Sequence, residues 1–133
     1  MNAELIVSQM LATPTITNLV GNRKALYQLP ENTAFPALVY QIIDNVPDPN
    51  LDYVHPAGQL ARARIQFNPL AATIAEVKNI HNALRVVFDF KHNTLVGSKR
   101  IMSCRLNFLG TMEKDNEAGV WTQPADYTLA YYE

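Results

Sequence analysis

Between Leu60 and Phe90 the apolar residues change their period once, and that change dictates most of what the chain can fold into. From Leu60 to Asn68, Ala61, Ala63, Ile65 and Phe67 alternate with Arg62, Arg64, Gln66 and Asn68. This period of two predicts a strand with one buried face and one face turned to water or to a partner. From Thr73 to about Phe90, Ile74, Val77, Ile80, Leu84, Val87 and Phe88 recur at helical spacing, with Glu76, Asn79, Asn82, Arg85 and Asp89 off the stripe. A strand with one dry face followed by a helix with one dry stripe predicts two layers, the helix lying across the sheet.

The flanking text supplies the other elements. Leu5, Ile6, Met10 and Leu11 mark a helix from Ala3 to Ala12, and Thr13-Pro14 reads as its stop and as the start of a second short helix, Thr15 to Val20, closed by Gly21. Arg23 to Leu29 reads as a short strand. Ala37 to Ile43 is β-branched, aromatic and apolar on both parities, as suits a central strand. Asn45 to Gly58, with three prolines, is expected to be a long loop, and Asn68-Pro69-Leu70-Ala71-Ala72 is expected to break the strand before it. Asn93 to Ser98 reads as a turn, Lys99 to Lys114 as a long strand, Asp115 to Gly119 as a turn, and Val120 to Tyr132 as the returning strand, with Pro124 a bulge or edge position. The expected fold is α+β: a small mixed, largely antiparallel sheet with one long helix and short N-terminal helices packed on it. At 133 residues the chain is expected to form one domain, 1–133.

Charge and composition remove several classes of function. Eleven Lys and Arg against 12 Asp and Glu leave no global field for a phosphate backbone or acidic lipid. Charged residues are 17% of the chain, below the usual quarter, which fits a surface partly covered by neighbours. No apolar run approaches the ~20 residues that span a bilayer, and Met1 to Ile6 lacks a basic, then apolar, leader, so neither membrane nor export is expected. The one cysteine, Cys104, allows no internal disulfide and fits a reducing cytoplasm.

No catalytic, cofactor-binding or metal-ligating set emerges. His55, His81 and His92 stand in no metal spacing. His81, at the edge of the helical stripe, is better read as packed, and His55, beside Asp52 and Tyr53, as part of a solvated loop. Cys104 alternates with Met102 and Leu106 and reads as a small buried hydrophobe. Arg62 and Arg64, joined by Lys99, Arg100 and Arg105 from the later strand, form the one charge cluster; solvated edges or ion pairs to a neighbour's acids outweigh phosphate binding. Tyr127, Leu129 and Tyr131 share a face, suited to the core or a subunit contact.

The order of several local phrases resembles the tail-completion, or tail-terminator, family of long-tailed phages. They are Leu19-Val20-Gly21, Tyr27-Gln28-Leu29-Pro30, Phe35-Pro36-Ala37-Leu38-Val39-Tyr40-Gln41, Ala61 through Phe67, Thr73-Ile74-Ala75-Glu76-Val77 and the aromatic final strand. The resemblance implies a structural virion protein, assembled in the host cytoplasm and placed in the tail or neck. It implies a ring, typically hexameric, that caps the head-proximal end of the tail tube, ends tube polymerisation and offers a surface for head joining. The implied partners are further copies of the chain, the tail tube protein and a head–tail connector protein. DNA would pass through the ring without sequence-specific binding, and no cofactor is implied. Leu51, Asp52, Tyr53 and Val54, a segment in which Leu51, Tyr53 and Val54 stand in otherwise polar text, and secondarily Arg62 and Arg64, are the expected assembly contacts. The competing readings are another neck or head-completion connector subunit, and a small cytosolic ligand-binding protein or enzyme.

Overall fold

The computed structural model describes residues 3–47 and 60–132. Two short helices, α1 (Ala3–Leu11) and α2 (Pro14–Val20), open the chain. They are followed by strands β1 (Lys24–Leu26), β2 (Ala37–Pro47) and β3 (Leu60–Ala71), then by the long helix α3 (Ile74–Phe88). Strands β4 (Lys91–Val96), β5 (Lys99–Leu109), β6 (Glu113–Asp115), β7 (Val120–Thr122) and β8 (Ala125–Tyr132) complete it. The sheet runs β1-β2-β3-β8-β5-β4, with β7 on β3 and β6 outside β7. β1 is parallel to β2 and the other pairs are antiparallel, so the α+β, mixed and largely antiparallel expectation holds.

The helices begin where the sequence provides caps. Thr73 is the N-cap that starts α3: its hydroxyl accepts the Glu76 N–H at 3.2 Å and donates to the Glu76 carboxylate at 3.1 Å. Pro14 occupies the first turn of α2, where its missing N–H costs nothing, and Gly21 ends that helix at φ +57°. Val77, Ile80, Leu84, Val87 and Phe88 turn the α3 stripe onto Ala61, Ala63, Ile65 and Phe67 of β3. Ile6, Val7, Met10 and Leu11 of α1 join the same core. Tyr127, Leu129, Tyr131 and Cys104 complete it from β8 and β5, as their alternation requires.

Among the described residues the other face of the sheet carries no helix and is crossed by polar pairs. Gln41 donates to Gln66 at 2.6 Å and Asn68 to the same oxygen at 3.3 Å. Arg64 bonds Asp126 at 2.8 Å, and Asn107 donates to Thr128. Cross-strand pairs of this kind satisfy a wet face without adding an apolar layer.

Four sequence expectations need correction. β2 continues through Asn45 to Pro47, because a bulge between Ile42 and Asp44 resets its pairing with β3 as far as Ala61. Lys91 to Val96 is an edge strand, so the turn expected over Asn93 to Ser98 contracts to Gly97-Ser98, with Gly97 at φ +59°. The strand expected over Lys99 to Lys114 stops at Leu109. Gly110 donates to the Pro124 carbonyl at 2.7 Å, and a Cβ there would stand 2.6 Å from the proline ring.

The fourth concerns Pro69, which does not break β3. The strand runs to Ala71, paired with β8 from Leu60↔Tyr132 to Phe67↔Ala125 and with β7 at Leu70↔Thr122 and Ala71↔Trp121, in one unbroken register. That register sets Pro69 across from Gln123 and Asn68 across from Pro124. Two prolines therefore share one gap in the ladder, which lets each avoid disrupting an otherwise intact pairing.

Candidate assembly surface

Pro69 has no N–H to give the Gln123 carbonyl opposite it. The Leu38 N–H is used toward Arg23, so the Leu38↔Pro69 pair turns the proline nitrogen away from β2 and toward β7 and β8. His81 supplies the missing donor: its Nε2 lies 2.6 Å from the Gln123 oxygen. A nitrogen facing a carbonyl must carry the proton, so the neutral ring leaves Nδ1 as an acceptor. His81 is buried, as its place at the stripe edge suggests, and its role is to repair the proline gap.

Burial holds the His81 imidazole below its ordinary range, against a smaller opposing pull from the Gln123 carbonyl. The folded protein thus prefers the neutral ring, while the unfolded chain takes a proton near pH ~6.5. This contribution to stability is whole above that pH and is lost as pH falls toward the lower folded value. Melting temperature should therefore drop between about pH 7 and pH 5.5, and His81→Gln should flatten that drop relative to wild type. His55 and His92 remain in both proteins, so the difference between the two melting profiles isolates His81.

The remaining chemistry is quiet. Burial, with a lesser push from the Asp89 charge, raises the Cys104 thiol to about 12, which keeps it protonated and unreactive. The same two causes raise the Tyr127 phenol. A cleft of about 250 Å³ between α3, β5 and β8 is lined by His81, Leu106, Leu109 and Tyr127, with Lys78 and Arg85 also on its wall. The Tyr127 hydroxyl and His81 Nδ1 have no partner among the described residues. Among the same residues no group of three His, Cys, Asp or Glu could hold a metal ion. No described helix is long and apolar enough to cross a membrane.

What the described surface does present is apolar side chains on one flank. Val86 is 67% exposed, Phe90 65% and Leu95 59%. Val86 shares a hollow with Leu95 and a second one with Phe90, so the three form a continuous patch along the outer side of α3 and the edge strand β4. Arg105 stacks over Phe90 at 4.3 Å, and Phe108 is exposed further along β5. Clustered apolar exposure of this kind marks an interaction surface. The expectations from sequence did not include it. A signal existed: Val86 lies off the α3 stripe, one turn from Asn82, where a polar residue is expected.

Of the contacts expected from sequence, Arg62 and Arg64 project from the helix-free face of β3, as the alternation requires. The Asp126 hydrogen bond and charge make the Arg64 guanidinium still harder to deprotonate. Lys99, Arg100 and Arg105 do not join them on an adjacent strand, because β8 lies between β3 and β5. The phenol of Tyr131 reaches Asn45 at 2.8 Å, which ties β8 to the extended end of β2. Leu51, Asp52, Tyr53 and Val54, with His55, lie outside the described residues.

The sequence matches the model of the family described as Tail completion protein gp17 over residues 4–121. The chain belongs to this family. It is a structural protein of the phage tail, and its place is in the virion tail, in line with the resemblance read from its local phrases. The fold has a counterpart in a chain of a solved structure titled "Virion of native gene transfer agent (GTA) particle". The TM-score is 0.67 at 12% identity, over 96% of this chain and 92% of that one, so the likeness is one of fold. No curated protein matches the sequence.

Proposed function

We propose that this tail completion protein folds as a single domain, 1–133, and closes into a hexameric ring at the head-proximal end of the tail tube. There it ends tube polymerisation and offers the surface to which the filled head is joined. Its partners are other copies of itself, the tail tube protein and a head–tail connector protein, with DNA passing through the ring. The observation that carries this reading is the patch of Val86, Phe90 and Leu95 beside an edge strand, on a protein of a tail completion family. A ring uses two different patches on each copy, and closure removes both from further growth. Arg62, Arg64 and the segment from Leu51 to Val54 are proposed as additional assembly contacts.

Withdrawing the protein from phage assembly tests this. Electron microscopy should show tubes of uncontrolled length without heads, and adding the protein back should restore a ring at one tube end and joined particles. Tails of normal length that still join heads without it would overturn the proposal. Binding to tailless heads but not to isolated tubes would instead favour a connector subunit on the head side.

A further inference from the structure

Two charged features lie at opposite ends of the sheet and have complementary signs. The first is the β6–β7 hairpin, where Glu113, Asp115 and Glu117 are all exposed. Its tip is prebuilt: the Asp115 carboxylate accepts the N–H groups of Glu117 at 3.0 Å and Ala118 at 3.3 Å, and the Gly119 N–H bonds the Asp115 carbonyl at 2.8 Å. Lys114 is the hairpin's one cation, and its amine sits 5.9 Å over the Trp121 ring. Alternation puts Lys114 on the face opposite Glu113 and Asp115, so one side of this projection is acidic throughout.

The second feature is a hollow of about 440 Å³ beside the β4–β5 hairpin, lined by His92, Asn93, Arg100, Met102 and Tyr132. None of these lining residues is a carboxylate. The hollow's one full cation is the Arg100 guanidinium, held by a neutral partner, the Asn93 oxygen at 2.6 Å. From Lys91 to Arg100 the chain carries no acid, so nothing local offsets Arg100; alternation turns Lys99 to the other face, and Lys91 lines a separate hollow with Val96 and Ile101.

Register separates the two. Leu60 of β3 is level with Tyr132 on the hollow, and Ala71 is level with Trp121 of the hairpin. Eleven strand steps between them span about 35 Å. A hairpin therefore cannot reach the hollow of its own chain.

We infer that the acidic β6–β7 hairpin of one copy docks on the basic β4–β5 hollow of the next, giving the proposed ring its head-to-tail contact. This rests on the ring reading above and adds a charged pair of surfaces to the apolar patch on which that reading stands. Their charges select this pairing over hairpin-to-hairpin or hollow-to-hollow encounters, which would set like charges together. Because knob and hollow differ, the contact is heterologous and repeats until it closes.

Reversing either side tests the pairing. Glu113→Lys with Glu117→Lys alters the knob and spares Asp115, which builds the turn; Arg100→Glu alters the hollow. Circular dichroism melts confirm that each protein stays folded. In light scattering and in ring formation on isolated tails, each variant should associate at least about tenfold more weakly than wild type. Mixing the two variants should restore association, since each reversed knob then meets a reversed hollow. If both variants form rings as wild type does, the docking is wrong while the ring reading stands. If wild type forms no ring at all on tails, both fall together.

Discussion

Phe67→Ala is expected to remove about 3–5 kcal/mol of folding stability, enough to leave the protein close to unfolded at room temperature. Phe67 is fully buried at the point where β2, β3, β8 and α3 meet. Its ring packs against Phe88 at 4.9 Å, against Tyr127 edge-on at 5.5 Å, and against Tyr40 at 6.2 Å. Truncation removes the transfer energy of the ring and also leaves a cavity, because β2, β8 and α3 fix its walls and little can collapse into it. Each aromatic pair adds about 0.5–1.5 kcal/mol beyond the area buried. Urea titration is the measurement: the midpoint should fall steeply with the slope unchanged. Phe67→Leu, which retains most of the volume, should lose markedly less. A loss below about 1 kcal/mol for alanine would mean that this junction is not the centre of the core.

The residues around Phe67 are also the most legible part of the sequence. β3 and α3 each bury one face against the other, so each must keep a single period, and that period is plain in the order of the residues. β4 is invisible there for the opposite reason. Lys91-His92-Asn93-Thr94-Leu95 packs no continuous face and lies at an edge. Its strand conformation comes from pairing with β5 through the Gly97-Ser98 turn, a tertiary effect that local pattern does not encode. Pro69 misleads because a proline forbids a ladder bond only where a partner waits for its N–H. Here the partner carbonyl, on Gln123, is served by His81, from the helix one layer away.

The assembly surface divides in the same way. Family membership could be read from local phrases, because Ala61 to Phe67 and Phe35 to Gln41 report the fold itself. The exposed patch of Val86, Phe90 and Leu95 could not, since its residues come from a helix, a junction and an edge strand that only the fold brings together. The acidic hairpin is readable as Glu113, Asp115 and Glu117. Its relation to Arg100 depends on a register that runs the full length of β3.

Asp89 shows how far a single misread residue can matter, and replacing it gives the second large effect. Its position off the α3 stripe predicts exposure, yet its side chain is only 4% exposed. It sits just past the end of α3, where the negative pole of the helix disfavours a carboxylate. Four groups offset that cost. One carboxylate oxygen accepts the Phe90 N–H at 3.0 Å and the Leu106 N–H at 2.9 Å, and the other accepts from Arg85 at 3.2 and 3.3 Å. Arg105 stands 3.8 Å from the first oxygen. β4 pairs with β5 only as far as Lys91↔Cys104, so the Asp89 side chain extends the β5 ladder one step past the strand end, beside the bulge between Leu106 and Phe108. Asp89→Ala should cost about 3 kcal/mol, because it leaves the Leu106 and Phe90 donors without an acceptor. Arg85→Ala and Arg105→Ala should each cost about 1 kcal/mol or less, since both side chains are more than half exposed and water screens their pairing. Asp89→Asn separates the two contributions: it keeps an oxygen for the Leu106 N–H and discards the charge. Chemical unfolding should rank asparagine well above alanine in stability, and an equal loss in both would move the stabilisation from the strand-end hydrogen bonds to the ion pairs.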